Sequence, residues 1–383
     1  MKRISKLTLL ICLLLLASIF TLTACKNDKP TENKPTRTPH VHTEVIDPAV
    51  APTCTETGLT DGKHCSSCGK VIVKQTVVDA LGHNCVDGCC TTCGMVIYIR
   101  DDDYILFGEY PQTIKADDVI ITDTQDSRGY YLGSDGFYYA KITATPLDSA
   151  YTFSTGNTVT SGEVYYFKVE PIRWRILTTD GEKAFILCDS IIANLAYQSD
   201  YNLYYFAYDT EKNYYGTTAN GAPNGTYANN YKYSEVRKWL NATFYETAFS
   251  ELQREIILTT MIDNSAESTG FSSNPYACED TEDKIFLLSH AEVTKSEYGF
   301  ALDYLSYDTA RRIQTSDYTR ATGAYMYSAP SYYGKGYWWL RSPQYSYSCH
   351  TNTVGFSGDI DYADILSIRS VGIVPAMWID LNP

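Results

Sequence analysis

Residues 170–189 read EPIRWRILTTDGEKAFILCD, and this stretch decides the fold of the chain. Its first half alternates large apolar residues with Arg173 and Arg175, which is the period-two pattern of a strand with one buried face. Asp180 and Gly181 form a turn signal, and the apolar run KAFILC follows directly. The pattern predicts a β-hairpin.

Helices are predicted after this hairpin. In SEVRKWLNATFY, residues 234–245, apolar side chains recur on one helical face behind a capping serine. Ser250 begins a second helix with Gln253 in the capping-box position, and Ser289 begins a third such box after KIFLL, a predicted buried strand at 284–288. Strands and helices therefore alternate along this part of the chain.

The last fifty residues are dominated by strand patterns. WWLRSP at 338–343 is followed by a glycine-containing turn and by GIVPAMWIDL at 372–381. We therefore predict an α+β domain, with a twisted antiparallel sheet and two or more helices. Trp338, Trp339 and Arg341 are candidate binding residues, although we favour a structural role for Arg341, paired with a buried carboxylate.

Six ordered motifs carry a resemblance to a known family. They resemble the bacterial domain of unknown function DUF6273, over roughly residues 104–382. Gln344 and Val374 depart from the residues that the family often has there. The family has no settled activity, so the resemblance implies no function. The motifs are FGEYPQT (107–113), VEPIRWRIL (169–177), VRKWLNATFY (236–245), DKIFLLS (283–289), WWLRSP (338–343) and GIVPAMWI (372–379).

The ending of the chain is also similar, more loosely, to the C-type-lectin-like and formylglycine-generating-enzyme-like folds. That similarity implies a twisted sheet with two helices and irregular loops that carry the binding surface. A fold alone does not specify a function.

The N-terminus resembles a bacterial lipoprotein signal. Three basic residues precede an apolar run that ends at Phe20, and Leu22-Thr23-Ala24-Cys25 resembles a lipobox. We predict that residues 1–24 are removed and that a lipid on Cys25 anchors the protein to the outer face of the cell membrane. Residues 25–39 contain no large apolar residue after Cys25, which predicts a flexible stalk.

Residues 40–98 are rich in cysteine and are predicted to form a small zinc-ribbon-like module. They contain two C-x-x-C-G motifs, and the thiolates of Cys65, Cys68, Cys90 and Cys93 match the donor set of one tetrahedral structural zinc site. Disulfides are the alternative, because the predicted compartment is extracytoplasmic. Spare ligands lie nearby at Cys54, Cys85, His42 and His83.

This module also resembles a short repeat found in surface proteins of Gram-positive gut bacteria. The resemblance is carried by PTCTETGLTDGKHCSSCGK at 52–70 and by ALGH at 80–83. The following HNCVDGCCTTCG is similar to a contracted second copy.

Residues 99–383 show no catalytic signature. Only His290 and His350 occur there, which excludes sites that need several histidines, and GFSG at 355–358 is one residue short of a nucleophile elbow. Three carboxylates lie close together in sequence, but their spacing is not that of an EF-hand, so we expect a solvated acidic turn rather than a calcium site. These carboxylates are Asp359, Asp361 and Asp364.

The net charge of −14 disfavours nucleic acid and anionic wall polymers as partners. Our leading interpretation is a surface lipoprotein with a non-catalytic domain that binds a glycan or a protein. One alternative is an extracytoplasmic enzyme of formylglycine-generating-like ancestry or an unrecognised hydrolase, which close thiols of Cys188, Cys278 or Cys349 in a cleft would favour. Another is a structural envelope protein.

Overall fold

A computed structural model describes residues 41–199, 222–223, 226–363 and 367–382, of which 361–363 are described by their backbone alone. The chain forms two compact units. Of the described residues, the small unit contains 41–51 and 57–79, and the large unit contains 52–56 and everything from residue 80 onward. The predicted signal peptide, Cys25 and the stalk lie outside the described residues. Within the described part, no helix is long and apolar enough to cross a membrane.

The small unit is built from short strands that bury few apolar side chains. β1, β3 and β4 form one antiparallel sheet, and β2 pairs with β5. Ile46 and Val71 are well exposed, whereas Cys65 is completely buried. The strands are β1 (Glu44–Asp47), β2 (Gly58–Leu59), β3 (Gly62–Cys65), β4 (Val71–Val73) and β5 (Val77–Val78).

The large unit is mainly β, with few and short helices. Its strands are β6 (Cys85–Val86), β7 (Cys89–Cys90), β8 (Ile99–Asp101), β9 (Tyr104–Ile114), β10 (Ile121–Gln125), β11 (Tyr131–Gly133), β12 (Tyr138–Thr143), β13 (Val164–Asp180), β14 (Lys183–Cys188), β15 (Ser190–Ile191), β16 (Ala193–Asn194), β17 (Thr260–Ile262), β18 (Thr281–Asp283), β19 (Gln314–Thr315), β20 (Trp338–Pro343), β21 (Thr351–Val354), β22 (Ile360–Ala363), β23 (Gly372–Ile373) and β24 (Ala376–Asp380). Its helices are α1 (Glu235–Trp239), which continues through a π-helical turn (Leu240–Phe244) into α2 (Tyr245–Ala248), then α3 (Glu251–Glu255), α4 (His290–Val293) and α5 (Asp317–Thr322); single 3-10 turns lie at Tyr231–Tyr233, Glu267–Thr269, Ser296–Tyr298, Thr309–Arg311 and Pro330–Tyr332.

The predicted hairpin is confirmed, and it lies in the main sheet. β13 and β14 pair antiparallel from Trp174↔Cys188 to Asp180↔Lys183, and Gly181 takes a φ of +58° in the turn. β9 lies on one side of β13, while β12 and β14 lie on the other side at opposite ends of this long strand. The sheet curls as a result, and β24 extends it beside β14.

The WWLRSP motif is the middle strand, β20, of a second sheet with the order β16-β23-β20-β21-β22. Trp338 and Trp339 are 0 % exposed and Arg341 is 3 % exposed, so they form no binding surface, contrary to the candidate role given to them above. Both indole N–H groups donate to backbone carbonyls, those of Arg311 and Leu195. The favoured alternative for Arg341 is confirmed, since its guanidinium pairs with the Glu292 carboxylate.

The predicted helix starts are confirmed in detail. Ser234, Ser250 and Ser289 each accept a hydrogen bond from a backbone N–H in the first turn, and the last two form complete capping boxes. KIFLL is buried but is no regular strand. The side chain of Asn241 accepts from the N–H groups of Lys284 and Ile285, and so takes the place of a neighbouring strand.

The second cysteine motif is part of the large unit. Cys85 and Cys90 belong to the same apolar cluster as Trp174 and Phe185. The hydroxyl of Tyr98 donates to the carbonyl of Leu381 at 2.8 Å, which ties residue 98 to the end of the domain. The contacts therefore group residues 80–98 with the large unit, whereas the sequence grouped them with the first cysteine motif in 40–98.

Candidate metal centre and aromatic platform

Four side chains of the large unit converge on one point, and we call them the four-ligand cluster. The ligand atoms of Cys54, His83, Cys90 and Cys93 all lie within 4.8 Å of one another. The sulfur atoms of Cys54 and Cys90 are 3.8 Å apart, and the Cys93 sulfur is 3.5 Å from Nδ1 of His83. Three thiols and one imidazole are a complete tetrahedral donor set, so this cluster can hold a metal ion.

The thiols in this cluster differ in their electrostatic surroundings. A hydrogen bond from the backbone N–H of Cys93 is the largest influence on Cys90 and lowers the pKa of its thiol to about 5, against the opposing effect of burial. Burial raises the pKa of Cys54 to about 11. Cys85 pairs with Cys90 across β6 and β7 and is buried beside the cluster, and burial raises the pKa of its thiol.

The small unit contains a second group, the three-ligand cluster, made of His42, Cys65 and Cys68. Their ligand atoms also lie within 4.8 Å of one another, and the Cys68 sulfur is 3.5 Å from Nδ1 of His42. Cys65 is buried, while His42 and Cys68 are exposed. Among the described residues, no fourth histidine, cysteine or carboxylate joins this group.

The backbone of the two C-x-x-C-G motifs follows one pattern of hydrogen bonds. The glycine N–H donates to the carbonyl of the first cysteine at 2.8 Å in both motifs, Gly69 to Cys65 and Gly94 to Cys90. In each motif the first cysteine N–H donates at 2.9 Å to the residue after the glycine. Both glycines have positive φ, +69° and +74°, which a non-glycine residue adopts only with strain.

The same pattern places one histidine beside each turn. The N–H of Ser66 donates to the carbonyl of Thr43, the residue after His42. The N–H of Thr91 donates in the same way to Asn84, the residue after His83. Each turn therefore fixes the backbone next to its own histidine.

The four thiolates that the sequence assigned to one site are divided between these two clusters. Cys65 and Cys68 lie with His42, and Cys90 and Cys93 lie with His83 and Cys54. The physical reason is local, because each turn bonds to the chain beside its own histidine and so recruits that imidazole rather than the other turn. Three residues first treated as spare ligands, His42, Cys54 and His83, are thus members of the clusters.

The acidic residues near the C-terminus form no comparable group among the described residues. The Asp359 carboxylate accepts a hydrogen bond from the Ser357 hydroxyl. Asp361 lies in β22, opposite Thr353, and Asp364 lies outside the described residues.

Three cysteines of the large unit bear on the enzymatic alternative. Burial raises the pKa of Cys188 to about 12 and that of Cys349 to about 11, and it also raises the pKa of Cys278. A thiolate, not a thiol, is the nucleophile in cysteine chemistry. Burial therefore disfavours the thiolate form of each of the three, and the Cys349 sulfur lies 3.3 Å from Nδ1 of His350.

A cleft of about 640 Å³ opens between β9 and the start of α3. Arg128 pairs there with Glu109 at 2.7 Å and with Asp126 at 2.9 Å, and with Glu246 as a third carboxylate the described lining is net negative. The described residues that line the cleft include no histidine and no cysteine. Its described lining therefore offers carboxylates but no imidazole base and no thiol nucleophile.

Exposed aromatic rings surround His290 on the large unit, and we call Phe271, Tyr304 and Tyr345 with this histidine the aromatic platform. The three rings are 41–44 % exposed. Phe271 lies 5.5 Å from Tyr345 and 6.3 Å from the imidazole, and Tyr304 lies 5.6 Å from the imidazole, measured between ring centroids. The platform is continuous, because each ring touches the next.

His290 is the buried support of this platform. Gly270 takes a φ of +80° against it, and a Cβ there would lie 2.4 Å from Nδ1 of the imidazole. Burial lowers the pKa of His290 to about 4, with a further contribution from Arg311. The imidazole is therefore neutral at physiological pH.

Fold and sites together define a mainly antiparallel β domain that carries a Cys/His cluster and an exposed aromatic platform. Searches among curated proteins and among solved structures return no match to the chain. The chain belongs to the family described as a domain of unknown function (DUF6273), whose model matches residues 182–381, just over half of the protein.

The family match covers four of the six motifs, from VRKWLNATFY to GIVPAMWI. The other two precede residue 182 but lie in β9 and β13, which pair with each other and, through β13, with β14. The folded sheet therefore extends beyond the part of the chain that the family model describes.

Proposed function

We propose that this protein is a lipid-anchored surface protein whose large unit binds a ligand without converting it, and whose four-ligand cluster holds a structural zinc ion. Anchoring follows from the sequence around Cys25, and a Cys25→Ala variant should leave the membrane fraction. The aromatic platform is the observation that supports binding.

Zinc is the metal that suits the four-ligand cluster best. Soft thiolates with one imidazole are typical zinc ligands, and four protein ligands leave no position for a substrate. Cys54 and Cys90 are buried within the apolar cluster of the large unit, so a metal there joins the segments around residues 54, 83 and 90. A closed site of this kind contributes to folding rather than to catalysis.

Metal content separates zinc from a disulfide. Protein produced from residue 26 onward, which keeps every described residue, should retain zinc at the four-ligand cluster, and Cys93→Ser should lose that ion. The control is Cys89→Ser, an exposed cysteine that belongs to neither cluster. Thiol titration showing Cys54 and Cys90 joined in a disulfide, with no metal, would contradict the proposal.

The platform fits a neutral glycan. Tyrosine and phenylalanine faces stack on the apolar faces of sugar rings, and tyrosine hydroxyls offer hydrogen bonds at a wet surface. Three exposed rings are few compared with the roughly 20–30 residues per side of a standard protein interface. The net charge of −14 disfavours anionic polymers. A relationship to the C-type-lectin-like folds, which we also propose, would be consistent with this role.

A glycan array followed by calorimetry tests this binding. Phe271→Ala and Tyr345→Ala should each weaken binding at least tenfold. Tyr333→Ala is the matched control, because Tyr333 is 44 % exposed and its hydroxyl bonds to Thr152 rather than to the platform. No glycan binding combined with capture of a defined protein would replace the glycan by a protein ligand. Turnover of a bound glycan would favour the enzymatic alternative, and binding of neither class would favour a structural envelope role.

A further inference from the structure

We propose that the loop of residues 299–308 on the large unit enters the surface of a lipid bilayer and so docks this unit on the membrane. Scattered single apolar residues are normal on a protein surface, but a dense exposed group marks an interaction site. The proposal goes beyond the functions proposed above and relies on the proposed lipid anchor only for the nearness of the membrane. Four of the six residues 302–307 are large, apolar and 41–74 % exposed, namely Leu302, Tyr304, Leu305 and Tyr307.

A buried arginine holds this loop in place from behind. Arg311 is completely buried, and its guanidinium donates to the carbonyls of Asp303 and Ser306 at 2.9 and 3.2 Å and to the Ser306 hydroxyl at 2.7 Å. At the two ends of the loop, the Asp308 carboxylate accepts from the N–H of Ala301 at 2.9 Å. The apolar side chains are therefore presented on a loop that need not be ordered at a cost in entropy when it makes contact.

Tyr304 joins this loop to the aromatic platform. Its ring lies 5.6 Å from the imidazole of His290, measured between ring centroids, and its carbonyl accepts from the N–H of Ile360 at 2.8 Å. Tyrosine is enriched where a membrane meets water, because its ring is apolar and its hydroxyl remains hydrated. A loop seated in the bilayer therefore brings the platform to the level of the lipid headgroups.

The charges of the loop suit a neutral lipid surface. Residues 299–308 contain Asp303 and Asp308 but no lysine or arginine. Asp308 pairs with Arg311 at 3.4 Å, and the Asp303 carboxylate accepts from the N–H of Leu305 at 3.0 Å. Attraction to anionic headgroups needs basic residues, so contact through this loop depends on apolar burial instead.

The size of the exposed group favours a bilayer over a protein partner. A standard protein interface has roughly 20–30 residues per side, and leucine is under-represented among its hot spots. A few side chains are sufficient at a membrane to which the protein is already tethered. Residues 26–40 join Cys25 to the first described residue, and a chain of that length spans at most about 50 Å. The tether therefore keeps the local concentration of lipid high.

Vesicle binding by the protein from residue 26 onward, which carries no lipid, tests the loop alone. We expect this protein to sediment with phosphatidylcholine vesicles at millimolar lipid, the effective concentration that a short tether supplies. Replacing both leucines, Leu302→Ser with Leu305→Ser, should lower the partition coefficient about tenfold or more, because two exposed apolar side chains are lost. Ile120→Ser is the matched control and should bind like the unmodified protein, since Ile120 is 71 % exposed but lies outside the loop.

Fluorescence quenching reports whether the loop itself enters the bilayer. Tyr307→Trp places a new indole on the loop, and vesicles with brominated acyl chains should quench the fluorescence that this indole adds. The added fluorescence of Ile120→Trp should not be quenched. Equal quenching of the two added indoles would show that the protein meets the membrane without a preferred loop, and would overturn the proposal.

Failure of this proposal is distinguishable from failure of the proposed function. An unmodified protein that stays in the supernatant, or a double serine variant that binds as well as it does, overturns the membrane role of the loop. Neither result bears on the anchor or on glycan binding, because the protein tested lacks lipid and Leu302 and Leu305 lie outside the platform. The loop alone binds weakly, so the Cys25→Ala variant should still leave the membrane fraction.

Discussion

The turn around Cys90 and the strand β20 lie in the same compact unit but are held by different interactions. β20 is buried along its whole length, and its indole and guanidinium groups all reach partners. Around the turn, Val86 and Val96 are exposed, and the buried groups are chiefly sulfur atoms. Burial, hydrogen bonds and an ion pair together hold the strand, whereas the turn depends on backbone hydrogen bonds and, as we propose, on a metal.

Removal of the metal is the largest perturbation that this comparison suggests. Structural zinc contributes roughly 10–16 kcal/mol in small zinc-dependent domains, so a chelator should release the turn locally. We expect amide hydrogen exchange at Cys90 and Gly94 to become fast, while Trp339 and Leu340 keep their protection. Equal loss of protection in both regions would mean that the turn and the strand unfold together.

The substitution Arg341→Ala should instead perturb β20 and spare the cysteine turn. The guanidinium of Arg341 lies 2.5 Å from one Glu292 oxygen and donates to the carbonyls of Leu287 and Asp263. Its removal leaves a partly buried carboxylate without its cation, which costs about 3–5 kcal/mol. Urea unfolding should show this loss, with zinc content unchanged. Lys183→Ala, at an exposed position of β14, should change stability by less than about 0.5 kcal/mol.

The sequence predicted those features that depend on near neighbours. The β13–β14 hairpin and the caps at Ser234, Ser250 and Ser289 are set by residues within a few positions, and all are confirmed. KIFLL was predicted as a strand because its pattern is apolar. The side chain of Asn241, more than forty residues away, takes the hydrogen bonds that a neighbouring strand would make.

The candidate sites, too, could be predicted only where they depend on residues close together in sequence. C-x-x-C-G spacing predicts a tight turn with two thiolates, but it does not say which histidine or third cysteine lies beside the turn. Cys54 is thirty-six residues from Cys90, so only the folded chain brings their sulfur atoms together. Trp338 and Trp339 are aromatic in any environment, and their burial follows from a sheet that assembles from distant strands. The platform residues carry no motif of their own.

The contribution of His290 to the stability of the large unit should depend on pH. Its pKa is lowered to about 4 in the folded protein, against about 6.5 when unfolded. The folded state favours the neutral imidazole, so its contribution is complete above pH 6.5 and is lost as the pH falls to 4, about 3 kcal/mol in all.

The measurement is the difference between two proteins. Urea unfolding is measured for the unmodified protein and for His290→Gln, each at pH 7 and pH 4. The stability change caused by carboxylates and metal ligands cancels in the comparison, because these groups titrate in both proteins. The unmodified protein should lose more stability over this interval. Equal losses would show that the imidazole is protonated at little cost in the folded state.

Gln253 gives the smallest expected effect, and it connects α3 to the segment that follows the cysteine turn. Its side-chain oxygen accepts from the N–H of Ser250 in the capping box of α3, and its side-chain nitrogen donates at 2.9 Å to the carbonyl of Ile97, just after the cysteine turn. Ser250→Ala removes only the cap, at about 1 kcal/mol. Gln253→Ala should lower the free energy of unfolding by about as much, because each substitution removes one capping hydrogen bond. Only Gln253→Ala should also quicken amide exchange in residues 94–98 and hasten zinc loss to a chelator. If Ser250→Ala produced the same local change, the helix end itself would support the turn, and the bond to Ile97 would carry no separate role.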